Sequence, residues 1–90
     1  MDLVKLNALV LSLLETECSK TVDYLVEELR MEYPEEFKKI MGEFQKEYSL
    51  SGCGAEMSPI TAVNASLNYL YNEGKVEKER RNGFGMWRLK

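Results

Sequence analysis

The sequence predicts a mainly α-helical fold that ends in a small antiparallel β-hairpin, an α+β class. Apolar residues recur at helical spacing over most of the chain, and strict alternation replaces that spacing after Gly74. The pair Asn82-Gly83 suits a type I′ turn, because both central residues of that turn need positive φ. With 90 residues, of which 44% are hydrophobic, the chain can form one modest core, so we predict a single domain over residues 1–90.

Two amphipathic helices are predicted in the first third of the chain. The first covers residues 2–16 with Asp2 as its N-cap, and its apolar side chains span a wider arc than one buried stripe needs. That excess surface calls for a second partner, which is either the middle helix or another subunit. Thr21 caps a second helix over residues 21–33, which ends before Pro34 because proline disfavours helical geometry in the residue that precedes it.

Two more helices follow. The third, over residues 34–48, has carboxylates in its first turn and an apolar stripe spaced three or four residues apart. A loop containing glycine then leads to a fourth helix over residues 58–73, with Ser58 as N-cap, Pro59 at the first helical position and Gly74 as the stop. The spacing of the fourth helix directs Tyr71 inward and Tyr69 outward.

The last segment, residues 75–90, is predicted to be a hairpin whose register follows from the turn. Placing Asn82 and Gly83 at the two turn positions predicts five cross-strand pairs: Arg81–Phe84, Glu79–Met86, Lys78–Trp87, Glu77–Arg88 and Val76–Leu89. Val76, Trp87 and Leu89 then share one face, which can pack onto the preceding helix.

Charge is distributed unevenly along the chain, whose formal net charge is −3. Residues 74–90 hold six basic and two acidic side chains, whereas residues 1–73 hold six basic and thirteen acidic ones. This separation predicts a basic hairpin held out from an acidic body.

The segments NEGKVEK at residues 72–78 and MWRL at residues 86–89 are similar to the end of a winged helix-turn-helix domain. This DNA-binding superfamily includes small prokaryotic, archaeal and viral transcriptional regulators. The resemblance implies that helix 58–73 is the recognition helix, that the hairpin is the wing, and that the break at residues 18–20 adds a minimal strand to it. The helix at 34–48 is an insertion relative to this pattern, since a helix-turn-helix normally has a turn of three to four residues there.

The resemblance and the side-chain chemistry together predict a DNA-binding surface. Asparagine can pair with adenine in the major groove, and small apolar groups can contact thymine methyls. The recognition-helix residues predicted to do so are Thr61, Ala62, Ala65, Asn68, Tyr69 and Asn72. Phosphates need cations, and the predicted wing contacts are Lys75, Lys78, Arg80, Arg81, Asn82 and Arg88.

Both sets of residues also have structural explanations that do not involve DNA. The helix face can be an ordinary solvated surface, and the hairpin cations can protect a sheet edge from aggregation. The predicted function is sequence-specific binding of double-stranded DNA by a homodimer that forms through helix 1, the inserted helix or both. The alternative is a winged-helix protein-interaction module in a larger assembly, because one fold hosts both uses.

Catalysis and metal binding are not predicted. The chain has no histidine, so it lacks the commonest general base and the commonest metal ligand. Cys18 and Cys53 are too few for a zinc site without histidine, and they are either reduced thiols or one disulfide. We therefore predict no enzyme activity, no cofactor and no small-molecule site. The apolar run at residues 9–14 is too short to span a membrane and lacks a signal-cleavage site, which predicts a cytoplasmic protein.

Overall fold

A computed structural model describes residues 3–49 and 52–90, apart from the side chains of Cys53 and Ala55. The described residues form four helices followed by one antiparallel sheet of two strands, which confirms the predicted α+β class. In chain order the elements are α1 (Leu3–Leu13), α2 (Val22–Glu32), α3 (Pro34–Glu47), α4 (Cys53–Asn72), β1 (Val76–Arg81) and β2 (Phe84–Leu89).

Helix α1 is shorter than predicted, since it ends at Leu13 rather than at residue 16. The backbone after it is used by the sheet: the carbonyl of Glu15 accepts a hydrogen bond from the amide of Leu89 at 2.9 Å. Competition from β2 therefore ends the helix early. The predicted N-cap, Asp2, lies outside the described residues.

The break between α1 and α2 is anchored by Lys20. Its backbone exchanges two hydrogen bonds with Trp87 of β2, each 2.8 Å long. Its side chain is only 8% exposed, and Nζ lies 2.5 Å from the carbonyl oxygen of Leu13 and 2.9 Å from a carboxylate oxygen of Glu28. A cation at the C-terminus of a helix satisfies carbonyl groups that have no helical partner. Lys20 thus joins the end of α1 to α2 and to the hairpin.

Charge attraction decides the protonation of this buried lysine. Burial by itself lowers the pKa of Lys20, but the hydrogen bonds and charges of Glu28 and Glu15 outweigh it, so the pKa lies above its usual value. Lys20 is therefore a cation throughout the physiological range.

Helices α2 and α3 follow their local signals closely. The Thr21 hydroxyl oxygen accepts a hydrogen bond from the Tyr24 amide at 3.2 Å, as expected of an N-cap. Tyr33 lies between the helices with φ of −133°, and Pro34 is the first residue of α3. Proline at that position removes no helical hydrogen bond, because the first-turn N–H groups have no partner within a helix.

Helix α4 begins five residues before the predicted start, at Cys53 instead of Ser58. The prediction that Ser58 caps the helix and Pro59 opens it is therefore wrong. Ser58 is fully buried inside the helix, where its hydroxyl accepts a hydrogen bond from Gln45 Nε2 of α3 at 2.9 Å. Packing against α3 outweighs the cost of a proline within the helix.

The C-terminus of α4 and the hairpin agree with the predictions. Gly74 has φ of +76°, its amide bonds to the carbonyl of Tyr71, and the next amide, that of Lys75, bonds to the carbonyl of Leu70. This pair of bonds is a Schellman motif. At the turn, Asn82 and Gly83 have φ of +54° and +83°, and every predicted cross-strand pair is present.

Helix α4 is the centre of the core, since it contacts all three other helices and β1. Its completely or almost completely buried residues are Ser58, Ala62, Val63, Ser66, Leu67 and Leu70. The small side chains let neighbouring helices approach closely, and the Ser66 hydroxyl reaches Asn7 Oδ1 of α1 at 2.5 Å. Val76 and Trp87 extend the same core under the hairpin, so the hairpin is packed firmly against the helices.

Candidate nucleic-acid interface

The predicted recognition face lies on the exposed side of α4. Five of its six residues are exposed there: Thr61, Ala65, Asn68, Tyr69 and Asn72. The sixth, Ala62, is 0% exposed, so its prediction as a contact residue is wrong. Because α4 packs against three other helices, its buried arc is wider than the single apolar stripe assumed from the sequence. No lysine or arginine occurs on α4, so any affinity for polyanions has to come from neighbouring elements.

The two outer tyrosines of α4 are both accessible. Tyr69 is hydrogen-bonded to Glu73, and this bond with the Glu73 charge raises the pKa of the phenol. Tyr71 is 51% exposed, so the prediction that it points into the core is wrong. Its ring packs edge to face with that of Trp87, with centroids 6.3 Å apart. Tyr71 therefore covers part of Trp87 from the outside.

Three hairpin cations are held by partners within the hairpin. Arg81 Nη2 lies 3.1 Å from Glu79 Oε1, and Arg88 Nη2 lies 2.8 Å from Glu77 Oε2. Lys78 Nζ lies 5.0 Å from the centre of the Trp87 ring, at cation–π distance. These contacts fix the position of each charge and partly neutralise the two arginines.

The other hairpin cations extend into solvent. Lys75, Arg80 and Lys90 are exposed, and none of them forms a side-chain ion pair within residues 3–49 and 52–90. Asn82 is also exposed at the tip of the turn. The accessible positive charge of the hairpin therefore lies at its base and at Arg80.

Glu79 limits the positive charge of the hairpin tip. The hydroxyl of Ser19 donates a hydrogen bond to Glu79 Oε1 at 2.6 Å. This bond, supported by the charges of Arg81 and Arg88, lowers the pKa of Glu79. Glu79 is thus a stable anion that holds Arg81 against the strand.

A cleft of about 570 Å³ lies between the hairpin and the helices. The hairpin contributes Lys78, Arg80, Phe84, Gly85 and Trp87 to its lining, and α4 contributes Ile60 and Asn64. The start of α2 contributes Thr21, Val22 and Asp23. The cleft therefore brings uncharged polar groups of α4 and cations of the hairpin onto one continuous surface.

Asn64 and Thr21 were not among the residues predicted for this surface. Asn64 is half-buried and lies one helical turn from both Ile60 and Asn68, so helical periodicity could have placed it beside Asn68. Thr21 lines the cleft because α2 starts beside the hairpin, and only the pairing of Lys20 with Trp87 brings the two together. No pattern in the sequence predicts that Thr21 lies beside the hairpin.

Metal-binding groups, cysteines and apolar helices were also inspected in the described part of the chain. Within it, no group of three or more histidine, cysteine, aspartate or glutamate side chains is arranged to hold a metal ion. Cys18 is an exposed free thiol, and the side chain of Cys53 lies outside the described residues. Among the described helices, none is long and apolar enough to cross a membrane.

The chain was compared with known protein families, curated proteins and solved structures. No model of a known protein family, no curated protein and no solved structure matches it.

Proposed function

We propose that the chain is a winged helix-turn-helix protein that binds double-stranded DNA in a sequence-specific manner and acts as a transcriptional regulator. One observation carries the proposal: Asn64 of α4, one helical turn from Asn68 on the exposed uncharged face, lines the same cleft as the hairpin cations Lys78 and Arg80. α4 is then the recognition helix and the hairpin is the wing. A neutral helix face suits base edges, and cations beside it suit phosphates.

The order of elements supports this assignment. A helix, a one-residue strand at Lys20, a second helix, a long helix and a hairpin follow one another, as the resemblance implies. Helix α3 is the addition, and it packs against α4 through Gln45 and Ser58. The insertion lies on the side of α4 that is bound to α3, so it leaves the face carrying Asn68 exposed.

In the proposed complex α4 lies in the major groove. Asn68, near the middle of its exposed face, pairs with an adenine through two hydrogen bonds. Ala65 and Thr61 contact thymine methyls, and Tyr69 and Asn72 contact the groove edge or the backbone. Ala62 takes no part, because it is buried.

The wing holds the phosphate backbone. A DNA strand that leaves the major groove beside α4 crosses the cleft that Lys78 and Asn64 line. Arg80 contacts the next phosphates or the edge of the minor groove. Arg81 and Arg88 contribute less than Arg80, because Glu79 and Glu77 already neutralise them.

A second copy of the chain is proposed to bind along α1 and α3. A groove of about 380 Å³ runs between these helices, with an apolar floor of Ala8, Leu9 and Ile40 and a rim of Lys5, Glu36, Lys39 and Glu43. Because the rim carries both signs of charge, two copies related by a two-fold axis can pair lysines of one with glutamates of the other. Val4, 74% exposed and one turn before Ala8, extends the apolar strip.

A mobility-shift titration with mixed genomic fragments at two salt concentrations tests the proposed function. We expect binding that weakens steeply with salt and a subset of fragments that is retained at higher salt. An absence of binding at low salt would contradict the proposal.

A second candidate function is a protein-interaction module within a larger assembly. The ion pairs Arg81–Glu79 and Arg88–Glu77 favour it, because they use up two of the cations a DNA-binding wing needs. The acidic body, residues 1–73, also repels nucleic acid. The same titration separates the two functions, since an interaction module has no salt-sensitive affinity for DNA fragments.

A further inference from the structure

Phe84 is a large apolar side chain at the tip of the hairpin, outside the core. It is 65% exposed, whereas Val76 and Trp87 in the same hairpin are buried. Its neighbours in the chain are Gly83 and Gly85, which carry no side chains that could cover its ring. The ring is therefore largely exposed beside the turn, at the cleft that Arg80 and Trp87 also line.

The backbone that carries Phe84 is firmly held. Phe84 is the cross-strand partner of Arg81, and the turn between them has the positive φ values of a type I′ turn. Farther down the hairpin, Trp87 is 2% exposed and its backbone pairs with Lys20. An aromatic ring on such a support can be pushed into a partner without the hairpin folding away from it.

Two arginines of the hairpin lie near this residue. Arg81 pairs with Phe84 across the strands, and Arg80 lines the same cleft as Phe84. An exposed aromatic side chain near two arginines is suited to a surface that is anionic outside and aromatic inside. Duplex DNA has that arrangement, with phosphates at the rim of each groove and stacked bases at its floor.

We propose that Phe84 is a wedge that inserts between two base pairs from the minor groove and bends the duplex. This inference rests on the proposed DNA-binding function. With α4 in the major groove, the hairpin at its side meets the adjacent minor groove. Proteins that insert phenylalanine there partly unstack a base step and kink the DNA. Pyrimidine–purine steps unstack most easily, and a narrow A·T-rich minor groove attracts arginine. The preferred ligand is therefore A·T-rich duplex DNA that contains a TA step.

Fluorescence of 2-aminopurine measures the insertion directly. A duplex carries this base at the TA step, and the wild-type protein is compared with the Phe84→Ala and Phe84→Leu variants. We expect wild type to raise the fluorescence by unstacking the base, Phe84→Leu to raise it less and Phe84→Ala not to raise it. Affinity of Phe84→Ala for the TA duplex should fall at least about fivefold, the lower end for loss of one aromatic–base contact. Its affinity for a G·C duplex without the step should be unchanged.

Met31→Ala is the matched control, since Met31 is exposed on the last turn of α2, outside the hairpin and α4. It should bind the TA duplex and raise the fluorescence as wild type does.

If wild type binds duplex DNA with the expected salt dependence and the fluorescence does not change, the wedge is wrong and the proposed function stands. Equal fluorescence with wild type and Phe84→Ala also refutes the wedge. If wild type binds no duplex, the proposed function and the wedge both fail. Enhanced fluorescence only on single-stranded DNA would show stacking without a duplex and would overturn the wedge.

Discussion

The hairpin cations allow a quantitative prediction for the Arg80→Ala, Arg81→Ala double variant. Each phosphate contact contributes about 0.9 to the slope of the logarithm of affinity against the logarithm of salt concentration. If both arginines contact phosphates, the slope falls by about 1.8 in the variant. Over a fourfold rise in salt, from about 50 to 200 mM, wild type then loses about 12-fold more affinity than the variant.

The structure indicates how the change in slope divides between Arg80 and Arg81. Arg80 has no ion pair in the described part of the chain, whereas Arg81 has to leave Glu79 before it can bind a phosphate. We therefore expect the Arg80→Ala variant alone to account for more than half of the change. The Glu79→Gln substitution removes the partner of Arg81, so it should release Arg81 and raise the affinity for duplex DNA.

Fluorescence anisotropy on a labelled duplex at several salt concentrations measures the slope. The matched control is the Arg30→Ala, Lys38→Ala double variant, which removes the same charge from α2 and α3, away from the proposed DNA surface and outside the groove between α1 and α3. Its slope should equal that of wild type. A slope that is unchanged by loss of Arg80 and Arg81, or changed equally by the control, would refute a role for the hairpin in phosphate binding.

Three further predictions concern α4, α1 and the break between α1 and α2. Asn68→Ala should cost about 1–3 kcal/mol on the preferred DNA site and almost nothing on random DNA; equal losses on both, measured by competition binding, would mean that Asn68 does not recognise a base. Ala8→Glu places a charge on the floor of the groove between α1 and α3, so light scattering should show a dimeric wild type and a monomeric variant; a dimeric variant would move the interface elsewhere. Lys20→Met should lower the free energy of unfolding by about 1.5–3 kcal/mol. A raised lysine pKa adds stability that is present below the unfolded-state value of 10.5 and is lost as pH rises through the folded-state value. Urea unfolding should therefore show the wild type and the variant converging above that pH, and a constant difference would contradict the role of the charge.

The hairpin was predictable because its information is local. Asn82-Gly83 selects one turn type, the turn selects the register, and each pair then follows without knowledge of the rest of the chain. The stop at Gly74 is local in the same sense, because one residue with positive φ completes the Schellman motif.

The start of α4 was not predictable because its determinant is distant in sequence. Ser58 and Pro59 have the local signature of a helix start, but the Ser58 hydroxyl accepts a hydrogen bond from Gln45 of α3 instead of capping the helix. Lys20 is a second case, since its local context shows only a charged residue in a break. Its burial depends on Glu28 and on the end of α1, which only tertiary structure brings together. For the candidate site, the same reason explains why Ala62 was included and Asn64 omitted.

The attachment of the hairpin to the break between α1 and α2 has a consequence for how the protein folds. The hydrogen bond from Ser19 to Glu79 closes a loop of 60 residues, at a chain-length-dependent entropic cost of about 3.6 kcal/mol. The helices and the hairpin turn form from neighbouring residues, so docking of β2 onto Lys20 should be the slow step. During synthesis, the backbone groups of Lys20 and Glu15 that pair with β2 remain hydrogen-bonded to water until β2 has emerged. In a hydrogen-exchange experiment, the amide protons of Lys20 and Trp87 should then exchange only through global unfolding. Their exchange rates should match those of the amide protons at the centre of α4.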